Sequence, residues 1–529
     1  MQRRNNLALH WLVLIVGVIA CGVISVAIGK DLNWDLASYH FYNPYAFLNH
    51  RSGQDVWPLE FIHIHLTPTA DFITYYFITV LSPKLAVFTL GALHGINVWL
   101  LYAIARELFS SYSRALAIVL AVLGIYGPTV LPGIGSFQHD ALISLFVLGF
   151  ILLFLKAMTQ GFSRKLMVSA GFCLGVGAGL KLTAGIFILG AILSTFFVAE
   201  NYKKKISIVC WLSFGLIIGL LLTSGYWMLM QWQQFHSPVF PFMNGVFHSP
   251  DFPAYSWKDA RFMPKNIWQA VFYPFYFSLD GRTNDMPFRD FRFALVYLLV
   301  AWCAVKRFPL QGQSRWLVAF FVTSYLIWQL GFSIMRYAMP LEMLAPIMIF
   351  LLLKALVKDT MVRMGLALVM LVIIVLGMHP AEPIRAPWYG TSYFNVVLPL
   401  TAQHASHAMV LMPVSAYSLQ LMPRPQTYLI PLLPKKWRYL GIPFQGESYR
   451  LNAQMSASID GFNGRLFVLA SSDYLPAMTL IAKQLGLIRD GVCADITSDR
   501  QKVSYENVKL CPFKKLSSAI HPSENAGQG

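Results

Sequence analysis

The residues with the potential for chemistry fall in four short polar segments of an otherwise apolar chain. In the first, residues 31–42, Asp35, Tyr39 and Tyr42 are spaced by four and three and so share one face of a helix. A carboxylate at such a position can accept the proton of an incoming hydroxyl group. The alternative is that Asp35 caps a helix among interfacial aromatic side chains, and the residues alone favour neither interpretation.

The second and third segments add a further carboxylate and a cation. Gln138-His139-Asp140 begins an apolar run, and taken alone Asp140 is best explained as a helix N-cap. Paired with Asp35 from another helix, it would give a two-carboxylate site for a sugar or a divalent cation. Lys181 interrupts an apolar, glycine-rich hairpin, where a fixed cation would neutralise the phosphate of a lipid carrier. The alternative is a snorkelling lysine, whose side chain extends along apolar surface so that its ammonium group lies at the membrane surface.

The fourth segment is the turn 333–340, which contains Arg336 and Tyr337. The planar guanidinium group of arginine matches phosphate oxygens, whereas a role as an interfacial anchor is the alternative. Together the four segments predict a site for an anionic, lipid-linked sugar donor. The cations would stabilise the phosphate as it leaves, and Asp35 would deprotonate the acceptor hydroxyl.

Membrane helices must position these segments. Hydrophobic residues make up 56% of the 529 residues and charged residues only 12%, about half the charged share of a soluble protein. Because hydrocarbon offers backbone groups no partners, such apolar runs must form helices. The net charge of +17 lies mostly at the ends of these runs, where membrane topology and anionic lipid explain it better than nucleic acid does. No nucleic-acid partner is therefore expected.

Apolar runs and the positive-inside rule predict about eleven transmembrane helices with a cytoplasmic N-terminus. They are expected near 7–28, 84–106, 114–130, 139–157, two short spans within 166–199, 206–226, 291–305, 316–332, 340–356 and 364–378. The short apolar stretch 68–81 is predicted to lie in the membrane interface, and the aromatic loop 227–290 at the headgroup level. This count brings all four polar segments to the extracytoplasmic face.

After residue 378 the composition becomes that of a soluble protein. We therefore expect an all-α polytopic membrane domain at 1–378 and a soluble α+β extracytoplasmic domain at 379–529, with a strand at 465–470 and a helix at 479–487. This second domain contains Cys493 and Cys511. An oxidising compartment would allow a disulfide between them, and two free thiols are the alternative.

The order of these elements resembles the GT-C superfamily of integral-membrane glycosyltransferases, which use polyprenyl-phosphate sugar donors at the extracytoplasmic or luminal face. The resemblance covers the first ten spans, and a soluble C-terminal domain also suits the family. It rests on the acidic motif 34–42 with an interfacial helix after Pro68, on His139-Asp140-Ala-Leu, on the glycine-rich hairpin 175–185 around Lys181, and on Arg336-Tyr337-Ala-Met-Pro340.

The resemblance implies a glycosyltransferase that moves a sugar from a polyprenyl-phosphate donor to a glycan, lipid or protein acceptor, with Asp35 as general base. A bacterial inner membrane with a periplasmic C-terminal domain is the implied location. Family members often carry an adjacent acidic pair where this chain has Trp34-Asp35, so no metal ligand is assigned and a divalent cation stays open as a cofactor. The implied substrate-binding residues are Tyr39, His40, Tyr42, His139, Asp140, Lys181, Arg336 and Tyr337.

Two other functions stay open from the sequence. One is a flippase or transporter of lipid-linked glycans, and the other is a non-catalytic membrane assembly protein. A transporter usually shows inverted repeats and broken helices at the membrane midplane. The sequence shows no repeat, and its polar residues gather at one face. An assembly role leaves Asp35, Lys181 and Arg336 without an explanation.

Overall fold

The computed structural model describes residues 2–51, 53–59, 61–198, 200–256, 258–281, 283–403, 405–414, 426–443 and 449–516. The α-helices are α1 (Gln2–Ile28), α2 (Tyr42–Leu48), α3 (Phe61–Ile64), α4 (Thr69–Val80), α5 (Pro83–His94), α6 (Ile96–Leu108), α7 (Arg114–Ile125), α8 (Val130–Gly133), α9 (Asp140–Gln160), α10 (Arg164–Leu180), α11 (Gly185–Thr195), α12 (Tyr202–Phe235), α13 (Asn244–Phe247), α14 (Ile267–Val271), α15 (Tyr273–Asp280), α16 (Arg292–Val305), α17 (Gly312–Gly331), α18 (Met339–Leu356), α19 (Thr360–Gly377), α20 (Leu400–Gln403), α21 (Tyr449–Asp460), α22 (Leu475–Gln484) and α23 (Asp499–Ser504). The β-strands are β1 (Lys30–Asp31), β2 (Arg385–Ala386), β3 (Ala408–Val414), β4 (Arg438–Pro443), β5 (Arg465–Ser471), β6 (Leu487–Arg489), β7 (Ala494–Ile496) and β8 (Val508–Lys515).

The apolar runs of the sequence form helices, which confirms the all-α membrane domain. Six helical stretches in the described part of the chain are long and apolar enough to cross a membrane: Leu7–Ile28, Pro83–Leu108, Asp140–Gln160, Tyr202–Phe235, Met335–Leu356 and Thr360–Gly377. Further apolar helices are shorter, including α7 and α16. The protein is therefore an integral membrane protein, and the number of eleven spans stays a prediction.

Several helix boundaries differ from the predicted ones. The third predicted span ends early, at Ile125, because Pro128 disfavours a helical conformation in the residue before it. Helix α12 continues to Phe235, nine residues beyond the predicted span end at 226. The predicted interfacial helix is α4, and the predicted break at Lys181 separates α10 from α11.

The described chain divides into two compact units. The first unit comprises Met1–Asn33 and Thr67–Trp388, and the second comprises Trp34–Leu66 and Tyr389–Gly529. Within the first unit, α18 belongs to the most deeply buried of the six stretches and packs against α7, α9 and α16. Because neighbouring helices bury most of its residues, α18 forms the centre of this unit.

Glycines bring α10 and α12 into direct backbone contact. A β-carbon at Gly171 or Gly175 would clash with the carbonyl oxygens of Leu212 and Leu216 on α12. Gly215 of α12 faces the backbone of α10 in the same way. Small residues at four-residue spacing allow such close approach between membrane helices. This packing fixes α10, and with it the position of Lys181 at its end.

The second unit is built around one mixed β-sheet with the strand order β4-β3-β5-β8-β6, and β7 also pairs with β8. Strand β3 is parallel to β4 and β5, whereas β5, β6 and β7 are antiparallel to β8. The predicted strand 465–470 is β5. The predicted helix 479–487 is α22, which begins earlier at Leu475 with a proline in its first turn and is followed by Gly486 with φ +72°.

Cys493 and Cys511 form a disulfide, which decides between the two alternatives of the sequence. Cys511 lies on β8 and is fully buried. The bond links the segment between β6 and β7 to β8, the strand with which both β6 and β7 pair. It closes a loop with a sequence separation of 18 residues.

The segment 34–66, here called the first-loop segment, adds to the edge of this sheet. Val56 forms a parallel bridge with Leu440 of β4. The Val56 amide donates to the Tyr439 carbonyl at 2.8 Å, and the Gly441 amide donates to the Val56 carbonyl at 2.8 Å. The predicted division of the chain at residue 378 stays a prediction. The structure adds that a segment from the predicted membrane domain packs with the C-terminal residues.

Candidate functional site

In the first unit, the carboxylate of Asp140 at the start of α9 meets two cations. Lys181 Nζ lies 2.6 Å from Asp140 Oδ1, and Arg336 Nη1 lies 4.0 Å from Asp140 Oδ2. The side chains of Asp140, Lys181 and Arg336 are 6%, 16% and 13% exposed. Asp140 is the first residue of α9 rather than its N-cap, which is His139. In the structure Asp140 therefore forms an ion pair with Lys181 and does not occupy the N-cap position.

The ring of Tyr337 contacts both cations of this cluster. Its centroid lies 5.1 Å from Lys181 Nζ and 5.3 Å from Arg336 Cζ. Both distances allow cation–π attraction. Four of the predicted site residues thus come together although they belong to three separate segments of the chain. One carboxylate and two cations leave the cluster with a net positive charge.

The turn before α18 holds Arg336 in place. Met335–Ala338 forms a 3₁₀-helix, and the Met335 amide donates to the Thr283 carbonyl at 2.6 Å. Trp328 Nε1 donates to the Ile334 carbonyl at 2.7 Å. Pro340 occupies the first turn of α18, where a missing amide hydrogen costs nothing. The Arg-Tyr-x-x-Pro pattern therefore corresponds to a short, well-anchored turn.

His139 pairs with Asp71, a residue that the sequence interpretation did not include. His139 Nε2 lies 2.6 Å from Asp71 Oδ1, and both side chains are almost fully buried. Asp71 stands in the first turn of α4, so an acidic residue in a short apolar helix was the available signal. The pair offers a nitrogen and an oxygen donor for a metal ion, and its spacing is that of a hydrogen bond.

A buried carboxylate and a guanidinium group fix the loop that leads to His139. Asp31 Oδ2 accepts hydrogen bonds from the Phe137 amide at 2.8 Å and from the Ser136 hydroxyl at 3.0 Å. Arg385 donates to the carbonyls of Pro132 and Ile134 at 2.8 and 3.1 Å. Asp31 is 1% exposed, so it acts as a structural anchor for the loop.

The remaining predicted residues lie in the second unit. Asp35 precedes a π-helix formed by Leu36–His40, is 5% exposed, and makes no capping hydrogen bond with its side chain. Tyr39 stacks on His63 at 4.8 Å between ring centroids and lies 4.2 Å from the ring of His40. The hydroxyl of Tyr42 instead donates to Asp55 at 2.8 Å.

The π-helix changes the geometry that the sequence pattern suggested. A π-helix has a longer repeat than an α-helix, so the four- and three-residue spacing does not place Asp35, Tyr39 and Tyr42 on one face as an α-helix would. The substrate-binding roles of Tyr39, His40 and Tyr42 stay predictions. The pairing of Asp35 with Asp140 also stays a prediction, because the two residues belong to different units.

The apolar helices define the class of protein, an integral membrane protein. Residues 67–228 match the family described as dolichyl-phosphate-mannose-protein mannosyltransferase. The matched region contains Asp71, His139, Asp140 and Lys181, whereas Arg336 lies beyond it. No curated protein sequence matches the chain.

Two solved structures are similar to this chain over most of its length. ArnT from Cupriavidus metallidurans bound to undecaprenyl phosphate has a TM-score of 0.54 at 13% identity, over 98% of this chain and 99% of that one. The apo oligosaccharyltransferase of Archaeoglobus fulgidus has a TM-score of 0.48 at 13% identity, over 89% of this chain and 71% of that one. The similarity to ArnT confirms the predicted fold, namely helical membrane elements followed by a small α+β region.

Proposed function

We propose that this protein is a glycosyltransferase that moves a sugar from a polyprenyl-phosphate donor to a glycan, lipid or protein acceptor. The observation that carries the proposal is the convergence of Lys181 and Arg336 on Asp140 and on the ring of Tyr337. A partly buried site with a net positive charge suits the phosphate of a lipid-linked sugar, because charge-assisted hydrogen bonds to phosphate are strong.

The reaction breaks the bond between the anomeric carbon and the phosphate oxygen, and the electron pair stays with the phosphate. Lys181 and the guanidinium fork of Arg336 stabilise the charge that develops there. The acceptor oxygen forms the new bond to the anomeric carbon, and Asp35 takes up the hydroxyl proton. A transition state with oxocarbenium character is stabilised by such flanking groups.

The comparisons support a lipid-linked donor. The matched family is described by dolichyl-phosphate mannose, and the similar ArnT structure holds undecaprenyl phosphate. The disulfide between Cys493 and Cys511 supports an extracytoplasmic location for the second unit, because disulfides persist in oxidising compartments. We propose that the reaction takes place at the periplasmic face of a bacterial inner membrane.

The substitution Asp35→Asn tests the proposal. Membranes that contain the variant are incubated with polyprenyl-phosphate sugars labelled in the sugar, hexoses and pentoses separately, and with a cell-envelope extract as acceptor. The wild type is expected to form a labelled, base-stable product, and Asp35→Asn is expected to lose it because the acceptor proton has no base. Asp495→Asn, at an exposed ion pair of the second unit, is the control and should keep full activity.

Two results would contradict the proposal. Full transfer by Asp35→Asn would remove this residue as the base. Movement of label across sealed vesicles by the wild type, without a new glycosidic bond, would instead identify a transporter of lipid-linked sugars.

A further inference from the structure

Arg51 and Asp55 form a buried, bidentate ion pair in the first-loop segment. Arg51 Nε lies 2.9 Å from Asp55 Oδ2, and Arg51 Nη2 lies 2.5 Å from Asp55 Oδ1. The two side chains are 3% and 1% exposed. Neither residue belongs to the cation cluster of the first unit, and neither was predicted from the sequence to have a role.

The pair is fastened to strand β4 and to the residues just before it. Arg51 Nη1 donates to the Lys435 carbonyl at 2.7 Å, and Nη2 donates to the Trp437 carbonyl at 2.6 Å. The Tyr439 amide donates to Asp55 Oδ1 at 3.1 Å. Every one of these bonds joins residues that are more than 380 positions apart in the chain.

The same carboxylate holds the beginning of α2. The Tyr42 hydroxyl donates to Asp55 Oδ2 at 2.8 Å, and Tyr42 is 2% exposed. Burial, and then the charge of Asp55, raise the pKa of Tyr42 well above its ordinary value, so the hydroxyl keeps its proton and stays a donor. Tyr42 follows Asp35 by seven residues, with only the π-helix and Phe41 between them.

Aromatic side chains of the C-terminal residues also support the π-helix. The ring of Phe41 lies 5.0 Å from that of Phe394, which lies 5.1 Å from that of Tyr428. The π-helix itself packs against the 3₁₀-helix Thr427–Leu432. The C-terminal residues thus form the support of the segment that carries Asp35.

We infer that Arg51 and Asp55 are positioning residues for the transfer reaction, which lock the Asp35-bearing segment onto the C-terminal sheet. The inference rests on the proposed function, since it concerns the same base. Buried ion pairs contribute little net stability compared with apolar side chains of the same volume, but they can specify one arrangement of the backbone. The C-terminal residues are then part of the catalytic assembly rather than an appendage.

The test compares Arg51→Gln and Arg51→Lys with the wild type in the full-length protein. Arg51→Gln leaves Asp55 buried without its cation, so kcat is expected to fall about 10- to 100-fold, because small displacements of a catalytic group cost that much. The KM for the donor should stay within about twofold, since Lys181 and Arg336 belong to the other unit. Arg51→Lys keeps the charge and should recover part of kcat.

Arg500 and Glu506 supply the matched control. They form a second ion pair in the same unit with side chains 3% and 2% exposed, and their N···O distance is 3.8 Å. Arg500→Gln should lower the melting temperature by an amount similar to Arg51→Gln while kcat per folded molecule stays unchanged. An equal loss of kcat in both variants would reduce Arg51 to a stabilising residue and overturn the inference.

Further variants keep the test decisive. If Arg51→Gln does not fold, Tyr42→Phe removes only the hydroxyl on Asp55, and it should lower kcat with little change in melting temperature. An unchanged kcat in Tyr42→Phe and Arg51→Lys would then overturn the inference. Loss of activity in Asp35→Asn beside full activity in Arg51→Gln would refute the inference alone. An active Asp35→Asn would refute the proposed base, whatever Arg51→Gln shows.

Discussion

Lys181 Nζ donates to Asp140 Oδ1 at 2.6 Å, and this contact closes the end of the α9–α10 hairpin opposite its connecting turn. Lys181 also donates to the Gln138 carbonyl at 2.9 Å, so two acceptors hold the ammonium group. The backbone of Lys181 is extended, with φ −151° and ψ 115°, which ends α10 and releases the side chain toward α9. The hairpin therefore places a fixed cation beside Arg336.

Removal of the Lys181 charge should weaken donor binding. In Lys181→Gln the KM for the lipid-linked donor is expected to rise about tenfold or more, because a hydrogen bond to a charged group contributes about 1.5–3 kcal/mol. Lys84→Gln, at an exposed lysine at the start of α5, is the control and should leave KM unchanged. An equal KM in wild type and Lys181→Gln would show that Lys181 pairs with Asp140 but does not bind the donor.

The glycines of α10 should be intolerant of a single added methyl group. In Gly175→Ala the new β-carbon would meet the Leu216 carbonyl, so the helices must separate, at a cost of about 1–3 kcal/mol. Gly185→Ala is the matched control, because a β-carbon there meets nothing within 4 Å. Thermal unfolding in detergent should show a lower melting temperature for Gly175→Ala only. Equal shifts in both variants would argue against close packing as the reason for the glycines.

The sequence predicted the parts of the fold that follow from local composition. Long apolar runs have one stable form in a membrane, so the helices were predictable, and a lysine amid glycines marked the break at Lys181. The predicted sidedness of the spans brings Lys181, Arg336 and Asp140 to one face, whereas their direct contact is seen only in the structure. Such inferences need only the order of apolar and polar segments along the chain.

Contacts between segments that are far apart in the chain produce no sequence pattern from which they could be predicted. Val56 pairs with Leu440 through a single bridge, and one paired residue has no periodicity that a sequence could display. Asp71 meets His139 across 68 positions, and either residue alone is explained equally well as a helix-terminal side chain. The π-helix at Leu36–His40 likewise depends on tertiary packing, because no residue pattern in that segment distinguishes it from an α-helix.

Alkaline pH should destabilise the protein in part through Tyr42. Burial raises the pKa of Tyr42 above the ordinary value, so above about pH 10 the unfolded chain loses a proton that the folded protein keeps. The free energy of unfolding should therefore fall by about 1.4 kcal/mol per pH unit for this group as the pH rises past 10. Burial raises the pKa of Tyr45 and Tyr439 as well, and their contributions have the same sign.

Chemical unfolding at pH values between about 9 and 11 measures whether the free energy of unfolding falls as the pH rises. Tyr42→Phe cannot lose a proton, so its stability should fall less steeply with pH than that of the wild type. Tyr505→Phe, at a tyrosine that is 93% exposed, should keep the wild-type slope. A steeper slope in Tyr42→Phe would contradict the assignment of the buried, protonated hydroxyl.

The disulfide should stabilise the second unit in a way that depends on the redox state. Cys511 lies on β8, which pairs with β5, β6 and β7, and the bond to Cys493 restrains the unfolded chain between them. Reduction, or Cys493→Ser with Cys511→Ser, is expected to cost about 2–4 kcal/mol, the usual range for a loop of this size. Cys210→Ser, at an exposed free cysteine of α12, is the control.

Thermal unfolding with and without reductant should show a lower melting temperature for the reduced wild type and no effect of reductant on the double variant. A wild type that melts at the same temperature in both conditions would mean that the bond does not stabilise the fold.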